Sequence, residues 1–291
     1  MLSRDLLQQI KSIHLTTSYL VNEAMAGEYA SAFKGRGMEF EEVREYRPGD
    51  DVRTIDWKVT ARMGHPFVKE YREERELTIF LMVDMSGSGR FGSHHKSKTE
   101  LMAETAAVLA YLASRNNDKV GMMLFTTEVE RFIPPKKGRG HVWRLIQEIL
   151  TFEPEHKGTD LTVALDYAGH LLRKKTVLFL ISDFIDDHYE RALTLASKRH
   201  DITALHVVDP LELALPNVGL IELEDAETGQ IGLFDTSDKR VREHFHKRAL
   251  HMKQSTRETL RRAGIDEVEI STTGSCADPL MRYFRRRERR R

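Results

Sequence analysis

The chain has 291 residues, and its 45 Lys and Arg balance 45 Asp and Glu, so the formal net charge is zero. That balance gives no global attraction to nucleic acid or to an anionic membrane. The single cysteine, Cys276, excludes a disulfide framework and a zinc knuckle.

The length suffices for one large domain or two modest ones. No apolar run reaches the roughly 20 residues a membrane span needs. Residues 1–21 mix apolar with charged side chains, unlike a signal peptide. The expectation is a soluble, cytoplasmic protein.

Residues 3–25 read as an amphipathic helix, with Ser3 as cap and Leu6, Leu7, Ile10, Ile13, Leu20 and Val21 at near-helical spacing. Residues 27–64 are punctuated by Gly35, Gly37, Pro48, Gly49 and Gly64, and their acids and bases alternate closely. Residues 38–46 predict a strand ended by the turn signal Arg47-Pro48-Gly49-Asp50. Residues 52–63 predict a short helix carrying Ile55, Trp57 and Val59, and residues 66–73 a second strand. Trp57 reads as a packing anchor. The charges read as a solvated, salt-bridged surface, with a docking surface as the functional alternative.

Residues 77–89, Leu-Thr-Ile-Phe-Leu-Met-Val-Asp-Met-Ser-Gly-Ser-Gly, organise the rest. A nearly continuous apolar run, as in a parallel strand buried on both faces, stops at Asp84. Ser86 and Ser88 follow on a glycine-rich turn, and residues 90–98 read as polar and mobile. Helical patterns over 99–115, 141–152, 161–173 and 189–198 then alternate with apolar strands over 118–126, 176–182 and 202–208. Residues 129–133 predict an antiparallel edge strand, ended by Pro134-Pro135. Such alternation predicts an α/β fold with a doubly wound, mostly parallel, Rossmann-type sheet. Residues 218–224 and 230–235 pair as a hairpin, 238–263 form a long helix, 268–271 a last strand and 278–291 a last helix. The chain thus divides into an N-terminal α+β extension (1–76), the α/β domain (77–210), and a C-terminal part (211–291). That last part, a hairpin, helices and an arginine-rich tail, completes the same domain.

Parallel strands place their carboxyl ends on one edge, where open α/β sheets bind ligands. Asp84 ends one apolar strand, Asp183 another and Asp209 a third, while Thr159 follows Gly158 in a loop. Asp84, Ser86, Ser88, Thr159 and Asp183 are expected to converge on that edge. Five oxygen side chains without His or Cys select Mg²⁺, Mn²⁺ or Ca²⁺ over Zn²⁺. Because neutral hydroxyls dominate, the ion would keep residual positive charge and seek an acidic side chain from another molecule. Read alone, Asp-x-Ser-x-Ser is equally a turn with a helix N-cap.

Asp84-x-Ser86-x-Ser88, then Thr159 after a glycine, then Asp183 after an apolar strand, resembles the metal-ion-dependent adhesion site of von Willebrand factor A-type domains. The resemblance implies that the serines and the threonine ligate the metal, and that the aspartates ligate it or hold its waters. Upstream, Gly35-Arg-Gly-x-Glu39-Phe40 and Arg44-x-Tyr46-x-Pro-Gly49-Asp50-x-x-Arg53-x-Ile55-Asp56-Trp57 resemble the signature of a bacterial family. It is catalogued as domain of unknown function fifty-eight and carries an A-type domain. Relatives are often encoded beside MoxR-type AAA+ ATPases, so the resemblance implies an adaptor for such an ATPase or its client.

The expected function is a metal-dependent protein-binding module, not an enzyme, since no Ser-His-Asp spacing, P-loop or Rossmann glycine fingerprint is present. One alternative is a Mg²⁺-dependent phosphatase or phosphotransferase with Asp84 as nucleophile. Against it, Ser86 stands where such a pattern wants a second Asp. The other is nucleic-acid binding through Arg285, Arg286, Arg287, Arg289, Arg290 and Arg291, for which a disordered, solubilising tail is the plainer reading. Cys276 reads as a small buried hydrophobe.

Overall fold

The computed structural model describes residues 20–21, 23–33, 38–73, 77–92, 96–224 and 229–290. Most of the helix expected over 3–25 lies outside them. In chain order the elements are α1 (Glu23–Ala32), β1 (Met38–Glu45), α2 (Trp57–Met63), β2 (Phe67–Glu73) and β3 (Thr78–Asp84). Then come α3 (Lys98–Arg115), β4 (Lys119–Phe125), β5 (Val129–Lys136), α4 (Arg139–Thr151), α5 (Leu161–Leu171) and β6 (Val177–Ser182). The chain continues through α6 (Glu190–Arg199), β7 (Asp201–Val208), α7 (Pro210–Leu213), β8 (Leu220–Glu224) and β9 (Ile231–Asp235). It ends with α8 (Lys239–Arg262), β10 (Asp266–Ser271) and α9 (Ala277–Arg289). The chain forms two compact units, residues 33–77 and the remainder.

The larger unit is built on a six-stranded sheet of order β10-β7-β6-β3-β4-β5. Five strands run parallel and β5 is the antiparallel edge. Side chains alternate across a strand, and both faces of β3 are buried. Phe80 and Met82 join Phe125, Leu178 and Leu180 in a cluster completed by α5 and α6. Ile79, Leu81 and Val83 lie on the opposite face and are fully buried, and α3 packs on β3, β4, β6 and β7. The chain winds outward from β3 through β4 to β5, then returns to place β6 on the other side of β3. That reversal is the switch point at which doubly wound sheets bind ligands. The fold class expected from the sequence is the one observed.

Several local expectations change. The 1–76 extension is divided, because α1 belongs with the larger unit. There Tyr29 meets Phe284 edge-on at 5.7 Å and its hydroxyl donates to Asp118. β5 does not stop at Ile133 but runs through Pro134 and Pro135 to Lys136. An edge strand tolerates missing N–H groups where its register shifts, as it does here. Gly121 of β4 allows the approach, since a Cβ there would lie 2.8 Å from the Pro135 nitrogen. The helix expected over 52–63 is broken in two, because Asp56 caps α2 by accepting from the Lys58 and Val59 amides. Trp57 is 70% exposed and anchors nothing.

In the smaller unit β1 and β2 form an antiparallel pair. Arg44 grips Asp50 through two bonds of 2.7 and 2.9 Å, and Asp50 also accepts from the Arg47 amide. These charges close the Arg47–Asp50 turn. Among the described residues no helix is long and apolar enough to cross a membrane.

As far as Arg290 the arginine tail is a structural helix and its cap rather than a disordered end, and Arg291 lies outside the described residues. Arg285 pairs with Glu28, Arg286 and Arg290 with Asp266, and Arg287 with Asp201. Cys276 is buried, and burial, with the Glu104 carboxylate, pushes its thiol up to about 12.

Candidate functional site

β3 ends at Asp84 and β6 at Ser182, on the two sides of the switch point. Asp84 is 1% exposed, and both its oxygens are engaged. Its Oδ1 accepts the Ser86 amide at 2.9 Å, closing the turn after β3, and its Oδ2 accepts the Ser182 hydroxyl at 2.6 Å. The Ser86 and Ser88 hydroxyls lie 3.0 Å apart. Their turn stays tight at Gly89, where a Cβ would fall 2.7 Å from the Thr99 hydroxyl. The Ser88 hydroxyl reaches the Asp183 carboxylate, and the Ile185 amide donates to Asp183 Oδ1 at 3.3 Å.

Four of the five residues expected from the sequence, Asp84, Ser86, Ser88 and Asp183, therefore form one buried cluster. Thr159 sits on the neighbouring loop. The Gly87 amide donates to the Lys157 carbonyl at 2.7 Å, and the Asp160 amide to the Thr126 carbonyl at 3.0 Å. The Leu161 amide donates to the Asp186 carboxylate at 2.8 Å. Thr159 is thus held half-buried between the loops that follow β3, β4 and β6. Asp209, the third acid at a strand end, serves the fold. It caps α7 through the Leu211 amide and accepts the Thr272 hydroxyl at 2.7 Å.

The sequence reading missed Lys98. It falls in the polar stretch 90–98, but its side chain has no exposed surface. Its ammonium donates to Asp183 Oδ2 at 2.6 Å and also to Glu212. Two local signals point to this arrangement. Ser97-x-x-Glu100 is a capping box that makes Lys98 the first residue of α3, and Asp209-Pro210-x-Glu212 is another that fixes α7.

Burial, and then the nearby Asp183 charge, push the Asp84 carboxyl up to about 7. Burial also raises Asp183, but the Lys98 charge and hydrogen bond outweigh it and hold that carboxyl below its ordinary value. Burial raises Glu212, with Lys98 pulling the other way. Burial lowers Lys98, yet its two carboxylates more than restore it. When all four groups are ionised, three carboxylates face one ammonium. The excess negative charge is that of one divalent cation's complement, and such an ion would draw the proton from Asp84. The donors are all oxygens, as Mg²⁺, Mn²⁺ and Ca²⁺ require. Among the described residues no group of three or more His, Cys, Asp or Glu is placed to hold a metal. An ion here therefore depends on hydroxyl and water oxygens beside the two aspartates, and the residues fit it on those terms.

Comparison with known proteins places the chain among relatives. Residues 42–255 match the family described as "Protein of unknown function DUF58". The chain is 31% identical over 283 residues to the uncharacterized protein Mb1516 of Mycobacterium bovis, covering 96% of this chain and 89% of that protein. Among solved structures, an aerotolerance-related membrane protein from Bacteroides fragilis aligns over 74% of this chain and 100% of its own, at 14% identity and TM-score 0.50. The conserved hypothetical protein BatB from Bacteroides thetaiotaomicron aligns over 73% and 99%, at 16% identity and TM-score 0.50. At these identities the likeness is one of fold.

Proposed function

For a chain that belongs to the DUF58 family and folds as a doubly wound, mostly parallel α/β sheet, we propose a von Willebrand factor A-like domain with the function of a divalent-metal-dependent protein-binding module. The observation that carries it is the buried Asp84–Ser86–Ser88–Asp183 cluster at the switch point of the sheet. Ser86, Ser88 and Thr159 would offer hydroxyls to the ion and Asp84 and Asp183 carboxylates. The ion supplies, when bound, a positive charge for a partner's Asp or Glu.

The chain's own residues prepare that surface. Lys98 neutralises one side of Asp183 and holds it in place, and the Ser182 hydroxyl fixes Asp84. The backbone bond from Gly87 to Lys157 joins the serine turn to the threonine loop. Binding, rather than catalysis, is supported by the residue two positions past Asp84: Ser86 stands where a phosphatase of this kind wants a second acid. The partner class is a protein offering an acidic side chain, and the family resemblance makes a MoxR-type AAA+ ATPase or its client the first candidate.

The test is affinity purification from the native cell, with Mg²⁺ or with EDTA, comparing the wild type with Asp84→Ala. The reading expects partner recovery in Mg²⁺ alone and its loss in the variant. Equal recovery in all arms contradicts it.

A further inference from the structure

The carboxyl ends of β6 and β7, α7 and α8 as far as Thr256 enclose a groove of about 890 Å³. Asp183 and Glu212, which hold Lys98, also line it, so the groove is continuous with the candidate site. Along one wall α8 presents Val241, Phe245, Ala249 and Met252. Their spacing puts them on one face of the helix. That stripe faces the groove instead of packing on the sheet: the first three are half-buried and Met252 is 42% exposed. Leu213, Leu215 and Phe234 add to the apolar lining, with Phe234 itself 39% exposed.

The rim carries the opposite character. Of the nine Lys and Arg of α8, Arg240, Arg248 and Lys253 line the groove, and Lys253 is bonded to Glu269. Arg240 meets only its own helix cap, Asp238, and Arg248, exposed at the lip, has no acidic partner among the described residues. A stripe from Val241 to Met252 is about three turns, roughly 16 Å long. That length suits a helix of matching pattern rather than a compact small molecule, and Arg248 at the lip selects an acid on the helix's outer flank.

We infer that this groove docks an acidic amphipathic helix of a partner protein, its apolar side chains set against Val241, Phe245, Ala249 and Met252 and its acids against Arg240 and Arg248. The inference deepens the proposed function and rests on it only for the carboxylate that would reach the ion. The apolar contact stands on the groove alone.

The test is selection from a random 16-residue peptide display library on the immobilised full chain in Mg²⁺. The binders are then measured by fluorescence anisotropy on the wild type and on Phe245→Asp, Met252→Asp and Arg248→Glu. Met252 and Arg248 are exposed, so those two variants leave the packed interior untouched. The expected binders combine Asp or Glu with apolar residues three and four apart. Each should bind Met252→Asp and Arg248→Glu at least about tenfold more weakly.

Binders that bind all variants like the wild type would overturn the inference. So would enrichment of basic sequences or of none, or a small molecule retained in the groove by native mass spectrometry. Repeating the measurement in EDTA separates the two ideas. Binding that survives EDTA but fails in Met252→Asp upholds the groove independently of any ion, and binding lost in EDTA yet insensitive to the groove variants overturns the groove and leaves the metal reading standing.

Discussion

At Lys98 an ammonium without exposed surface is clasped by Asp183 and Glu212. Removing one member of a buried ion pair leaves the other charges unpaired in a poor solvent. Lys98→Met is therefore expected to lower the unfolding free energy by roughly 3–5 kcal/mol in urea titrations. A loss within a few tenths of the wild type would show that the carboxylates find water instead. His200 is the contrary case. It is buried, and among the described residues neither ring nitrogen has a hydrogen-bond partner. Burial, then the Arg199 charge, lowers its pKa below the ordinary value. The unfolded chain therefore takes up the proton first, at about pH 6.5, and stability falls as pH drops from there towards the lowered value. His200→Leu should raise stability by about 1 kcal/mol or more at pH 7.5. It should also flatten the decline below pH 6.5 in thermal melts, whereas an unchanged slope would assign that decline to other groups.

Among the elements, the strands and helices of the sheet were legible because burial on two faces writes long apolar runs and helices write a 3.6-residue period. β3 with Ile79 to Val83, and β6 with Val177 to Ile181, are the plain examples. What the sequence reading mistook depends on partners far along the chain. Trp57 reads as a packing residue because large aromatics usually pack, and nothing local in the sequence shows that its surroundings leave it exposed. The terminal arginines looked like a solvated run because their acids, Glu28, Asp201 and Asp266, come from three other elements. Arg287 donates to the Ala32 carbonyl and the Tyr283 hydroxyl as well as to Asp201, so it ties α1 and β7 to α9. Arg287→Ala is expected to cost roughly 2 kcal/mol, in line with hydrogen bonds to charged groups. It should also make α1 more open to limited proteolysis. Arg289→Ala, without an ion pair among the described residues, serves as the control.

For the whole molecule, the strand order decides where function can lie. A sheet wound outward from β3 in both directions leaves a crevice between the ends of β3 and β6. The sequence placed Asp84 and Asp183 there because each closes an apolar run. The serines came with them through the glycine-rich turn, while Thr159 stays on the neighbouring loop. It could not place Lys98, whose burial arises only when α3 and α7 pack over the strand ends. We propose that these oxygens hold one divalent ion. Isothermal titration of Mn²⁺ into the metal-free chain tests it most directly. One saturable site is predicted for the wild type, weakened at least about tenfold in Ser86→Ala and lost in Asp84→Asn. No saturable binding to the wild type, or equal binding to Asp84→Asn, would contradict it.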